Sequence, residues 1–197
     1  QRLRRIGVMR HTPRSSHSKS ADIQNPAILS GRVIKKSTIP FQLVETLYPI
    51  DESHGHGILG DLLRCSLQTA SRLSYTDHSG KFNFSRLAFL DIETTGLSGG
   101  AGTLAFLVGI GSFSVEGFIV RQFFLSDPAD ELGMLTEIAE LLDGYKAVAT
   151  FNGRSFDIPM LESRFMLNRI QSPFACLQQL DLLPAARRLW RGRTTGC

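Results

Sequence analysis

The chain of 197 residues is long enough for one domain with a full hydrophobic core. It is 42% hydrophobic and 20% charged, ordinary values for a globular protein, and no apolar run approaches the ~18 residues of a bilayer span, so a membrane protein is not expected. The net charge of +4 conceals an asymmetry: residues 1–40 carry nine Lys or Arg and one acid, Asp22, a balance of +8, whereas the rest carries thirteen bases and seventeen acids, a balance of −4.

Residues 1–40 read as a basic, flexible N-terminal arm. Its charge suits contact with a phosphate backbone, a solvated tail, or an Arg- and Ser-rich targeting segment, and the pattern leaves these open. Residues 41–85 are expected to hold short strands and a helix that lead into the main domain. "GRVIKKSTIPFQLVETLYP" (31–49) has β-branched, alternating character and room for one or two strands. "DESHGHG" (51–57) reads as a polar loop, although its two histidines two apart would also suit a metal pair on a strand. Leu59, Leu62, Leu63, Leu67 and Ala70 recur at helical spacing over 57–73.

From Arg86 the pattern is regular, and residues 86–197 are expected to form the main domain. "RLAFLDI" is an apolar run closed by acids, as in a buried strand. Residues 103–125 read as two strands joined near "SVEG". A helix follows, capped by Asp127 with Pro128 at its first position and stopped at Gly144. Then come a strand at 145–151, a helix over 155–170, a strand at 177–183 and a helix opened by Pro184. Three consecutive strands followed by alternating helix and strand predict an α/β fold with a mixed sheet, antiparallel at first and extended by parallel crossovers.

The chemistry centres on "LAFLDIETTGLSGGAGT" (87–103). Side chains two apart on a strand share a face, so Asp91 and Glu93 stand side by side at a strand's C-terminal end. Two carboxylates that close repel unless a cation neutralises them, and Mg²⁺ or Mn²⁺ with oxygen ligands is the natural remedy. Solvated acids at a strand end are the plainer alternative. Asp157, in "FNGRSFDIPML", follows another strand end, at the edge where ligands gather in such sheets; a helix cap is its plainer alternative. The glycines after Asp91 and Glu93 precede a β-like run and not a helix, which excludes a dinucleotide cradle, and no GK[ST] is present for a nucleotide phosphate loop. Glu-Thr-Thr-Gly also differs from the Asp-Thr-Gly of aspartic proteases, and Glu93 stands where a haloacid-type site has Asp. Cys65, Cys176 and Cys197 form no CxxC pair and suit reduced thiols in a cytoplasmic protein. Trp190 with Arg187, Arg188, Arg191 and Arg193 reads as a solvated helix face, with contact to a nucleic-acid backbone as the alternative.

With "FLDIETTGL" and "FNGRSFDIPMLESR" together, the chain resembles the DEDD 3′–5′ exonucleases of the ribonuclease-H-like superfamily, and within them the YprB-type proteins. The likeness runs over roughly residues 87–197 and includes the "DLL…ARRLW" tail. It implies a five-stranded mixed sheet with helices on both faces. It also implies a two-metal phosphodiester hydrolase that uses two Mg²⁺ or Mn²⁺ ions on DNA or RNA, at single-stranded 3′ ends, without a nucleotide cofactor. By the same likeness Asp91 would bridge both ions, Glu93 would bind one and Asp157 would hold the second. Thr94, Thr95 and Leu97 would lie against the terminal nucleotide, with Asn152 and Phe156 lining the site.

The family's fourth carboxylate, in a His- or Tyr-x₃-Asp segment on a late helix, has no counterpart after Asp157. Asp181 comes too early and sits on a predicted strand. The start at Gln1 and the stop after "RGRTTGC" read as the ends of a fragment truncated before that motif, expected to be inactive or nearly so. A module that binds nucleic acid without cutting it is the alternative reading.

Overall fold

The computed structural model describes residues 31–37, 40–65, 69, 84–96 and 102–191. A seven-stranded mixed sheet forms its frame. In chain order the strands of that sheet are β1 (Arg32–Ser37), β2 (Gln42–Tyr48), β5 (Leu87–Thr94), β6 (Ala105–Phe113), β7 (Phe118–Phe124), β8 (Ala147–Thr150) and β9 (Gln178–Asp181). They lie side by side as β1-β2-β7-β6-β5-β8-β9. The helices are α1 (Glu131–Asp143), α2 (Asp157–Leu167) and α3 (Leu183–Leu189). Among the described residues no helix is long and apolar enough to cross a membrane.

The five expected strands are contiguous, from β7 to the β9 edge of the sheet, with β5 antiparallel to β6 and parallel to β8, and β8 parallel to β9. The expected five becomes seven because β2 pairs antiparallel along the whole of β7. Without that partner β7 would present a free row of N–H and C=O groups at an edge. Arg32–Ser37, assigned by charge to the arm but within the stretch 31–49 expected to hold one or two strands, is strand β1, paired antiparallel with β2. Residues 1–30 lie outside the described residues.

Further details follow local chemistry. In β3 (Ser53–His54) and β4 (Gly57–Ile58) the His-Gly-His-Gly segment makes a two-residue hairpin turn with exposed residues. The helix expected over 57–73 is a 3-10 segment at Leu59–Arg64, where Asp61 Oδ2 accepts the Ile58 N–H at 3.1 Å; most of the remainder lies outside the described residues. Asp127 Oδ1 accepts from Ala129 N at 2.9 Å ahead of α1, which ends at Gly144 as expected.

The two sheet faces carry different cores. Ala88, Leu90 and Ile92 of β5 share a cluster with Val108, Ile110, Phe123 and Val148 and with Met134, Leu135, Ile138 and Leu142 of α1. Ile158, Leu161 and Phe165 of α2 join the same cluster, so both crossover helices cover this face. Glu131 and Arg164 are buried beneath it as an ion pair: Nε to Oε1 at 2.7 Å and Nη2 to Oε2 at 2.6 Å, with Asn168 Nδ2 on the same Oε2 at 2.8 Å. The opposite face holds Leu87, Ala147, Ala149 and Leu180 with Phe84, and it is on this face, by alternation, that Asp91 and Glu93 stand.

Candidate active site

Strand β5 outruns its neighbour. Its pairing with β8 covers only Leu87–Phe89 against Ala147–Ala149, and β8 ends at Thr150 while β5 continues to Thr94. The crevice so formed lies at the carboxyl ends of both strands. Asp91 and Glu93 are exposed beside it, and the intervening Ile92 is buried on the helical face. The Ile92 N–H has no strand partner on that side. It donates instead to Asp157 Oδ1 at 3.2 Å, so the carboxylate at the start of α2 replaces the missing ladder bond.

Asp157 is buried, with 5% of its surface exposed. Burial pushes its carboxyl above the ordinary 3.8; the neighbouring charges of Asp91 and Asp181 add to that push, and its own amide and that of Ile92 pull the other way. Asp157 and Asp91 are therefore close enough to feel each other's charge. The donor set, carboxylate oxygens only, suits a hard divalent cation, and a cation between them would relieve the repulsion. Among the described residues no three His, Cys, Asp or Glu side chains already converge at ligand distances.

A cleft of about 480 Å³ opens on the face of Asp91, bounded by Phe89, Gly109, Gly111, Phe118 and Phe151. Its floor is low because Asp91 and Phe89 are paired across to glycines, Gly109 and Gly111. A Cβ on Gly111 would fall 2.6 Å from Phe118 Cζ, so only glycine lets that ring lie over the strand.

The remaining expected site residues divide. Thr94 Oγ1 donates to the Gly96 carbonyl at 2.9 Å, and Thr95 Oγ1 accepts from Leu104 N at 3.0 Å; both hydroxyls brace the strand exit, where the β5–β6 register shifts after Glu93. Leu97 lies outside the described residues. Asn152 is exposed, with a left-handed φ of 67°. Phe156 packs against the main core, whereas Phe151, 53% exposed, borders the cleft. Asp181 is also at this edge, paired in register with Thr150 and buried. Its Oδ1 accepts from Asn152 N at 2.9 Å and Leu183 N at 3.0 Å, and its Oδ2 from Arg154 N at 3.2 Å.

A mixed sheet whose first long strand delivers acids into a crevice beside a parallel neighbour is the arrangement of ribonuclease-H-like proteins, and the chain belongs to the RNase H superfamily, whose family profile matches residues 88–197. It is similar to the protein YprB of Bacillus subtilis strain 168, described as uncharacterized, with 34% identity over 149 residues. That stretch is 75% of this chain and 36% of the relative, so the chain spans about a third of the relative's length.

Proposed function

We propose that the protein is a metal-dependent nuclease, a 3′–5′ exonuclease acting on single-stranded DNA or RNA ends, in the cytoplasm. The observation that supports this most is the buried Asp157 at the crevice, within electrostatic reach of Asp91 on β5. A buried carboxylate beside another carboxylate is costly unless a cation joins them. In a superfamily of nucleic-acid-processing folds the two acids therefore read as ligands. Asp91, Glu93 and Asp157 would hold two Mg²⁺ or Mn²⁺ ions. Such ions, when bound, supply Lewis-acid activation of a water and charge stabilisation at the leaving oxygen. The chain's own contribution is to aim the carboxylates: β5 fixes Asp91 and Glu93 on one face, and the Ile92 amide holds one oxygen of Asp157 and leaves its other oxygen for a ligand role. The cleft beside Asp91, walled by Phe89, Phe118 and Phe151, offers ring faces for bases to stack on.

The test uses the full-length protein on 3′-labelled single-stranded DNA and RNA, with Mn²⁺, with Mg²⁺ and with chelator. Metal-dependent release of the 3′ label by the wild type, lost in Asp91→Ala, is the expected result. Salt-dependent binding without cleavage in any metal would replace the nuclease with a binding module. Neither binding nor cleavage would overturn both readings.

A further inference from the structure

We infer that Asp181 is the positioning residue of this site: its carboxylate holds the β8–α2 loop in the shape that presents Asp157 to Asp91. The inference rests on the nuclease reading for its function and on the following geometry for its substance. The chain leaves β8 at Thr150 and must turn within six residues into α2, whose first residue is Asp157. It does so through Asn152 in the left-handed region, at φ 67°, a conformation that a non-glycine residue adopts at a cost. Amides on either side of such a residue form a concave anion cradle. Here the cradle is filled from within, because the N–H groups of Asn152 and Arg154 both donate to Asp181.

Three further bonds make the chain of support continuous. The Gly153 carbonyl accepts from Phe156 N at 3.3 Å and Ile158 N at 2.9 Å, joining the loop to the first turn of α2. Leu183 N donates to the same Asp181 oxygen as Asn152 N, so the start of α3 is drawn into the assembly. With both oxygens engaged by backbone amides, Asp181 acts through the loop on Asp157 and is not itself the family's fourth metal-binding carboxylate. A side chain that orients a ligand in this way typically governs metal affinity by roughly 10–100-fold.

The experiment compares full-length wild type with Asp181→Asn and Asp181→Ala, measuring Mn²⁺ binding by EPR and hydrolysis as a function of Mn²⁺. Asparagine keeps one acceptor oxygen and alanine none. The Mn²⁺ midpoint is expected to rise in the order wild type, Asn, Ala, by roughly 10–100-fold at the extreme, with most of the maximal rate recovered at saturating Mn²⁺. A merely structural role lowers the rate equally at every metal concentration, and that result, or unchanged Mn²⁺ midpoints in folded variants, overturns the inference. Wild type that binds Mn²⁺ but hydrolyses nothing sinks the nuclease reading and leaves the positioning role standing; wild type that binds no Mn²⁺ sinks both. Should neither variant fold, hydrogen exchange in the wild type decides: the amides of the exposed Asn152 and Arg154 must be protected, and free exchange there refutes the anchor.

Discussion

Asp157 Oδ1 accepts the Ile92 N–H at 3.2 Å, so the helix α2 carboxylate is hydrogen-bonded to the very residue that separates Asp91 from Glu93. The bond places three acids around one strand end, and it does so at an electrostatic cost. Burial, together with Asp91 and Asp181, raises the proton affinity of Asp157 above its ordinary 3.8. A group that binds its proton more tightly when folded contributes its full stability below the unfolded value and loses it as pH rises through the folded value. Asp157→Asn cannot ionise and retains a carbonyl to accept from Ile92. In chelator, the thermal midpoint of Asp157→Asn is expected to match the wild type below pH 3.8 and to exceed it as pH rises above that value, through the window opened by the upward shift, levelling off once the folded carboxyl is ionised. A variant less stable than wild type at neutral pH in chelator would show that the ionised carboxylate is favoured there without a cation.

Metal should reverse that order. A ligand that binds only the folded state stabilises it by about 2.7 kcal/mol at a hundred times its dissociation constant. Mn²⁺ is therefore expected to raise the unfolding midpoint of the wild type, chelator to lower it again, and Asp157→Asn and Asp91→Asn to lose most of the gain. Equal metal-induced shifts in all three proteins would place the cation elsewhere.

The loop that carries Asp157 has little room. A Cβ on Gly153 would stand 2.6 Å from both Cγ2 and Oγ1 of Thr150. Thr150 is itself buried and paired in the sheet with Asp181, so it cannot withdraw. Gly153→Ala is expected to cost about 1–3 kcal/mol, the usual range for overpacking a well-filled site. Urea denaturation would read this as a lower midpoint at unchanged slope. Gly153→Ala with wild-type stability would mean the loop relaxes away from Thr150, and the anchoring bonds to Asp181 would then have to break.

Much of the frame was legible because its signals are local. Asp91 and Glu93 announce themselves by a two-residue spacing at the end of an apolar strand, and Asp157 by its place just past the next strand. Asp127 caps the 3-10 turn Pro128–Asp130 that leads into α1, and Gly144 closes α1, both read from capping chemistry. What stayed hidden is non-local. The pairing of β2 with β7 joins residues 70 to 82 positions apart, and nothing in "FQLVETLY" names its partner. Asp181 was visible as an acid on a strand, but its function depends on the parallel register that sets it opposite Thr150, beside amides 27 and 29 residues away. Phe151 and Phe156 are alike in composition and flank the same turn; only the fold decides that the first faces the cleft and the second the core.

The ion pair of Glu131 and Arg164 is another such relation, since each reads alone as an ordinary helix acid or base. Both side chains are buried, with side-chain exposures of 7% and 9%, and Asn168 adds a third donor to Glu131. The Glu131 hydrogen bond, with its charge, holds the Arg164 proton more tightly against the opposing effect of burial. The pair joins α1 to α2, the helix that carries Asp157. Removing one partner leaves the other charged and buried, which costs about 3–5 kcal/mol, whereas apolar replacement of both is often neutral. Glu131→Leu and Arg164→Met are each expected to lower stability by that amount, and the double variant to recover most of it, as a denaturant double-mutant cycle would show. If the double variant regains its stability but still binds Mn²⁺ with wild-type affinity, the pair serves only the core. If affinity stays reduced in the restored fold, the ion pair also fixes the angle at which α2 delivers Asp157 to the strand end.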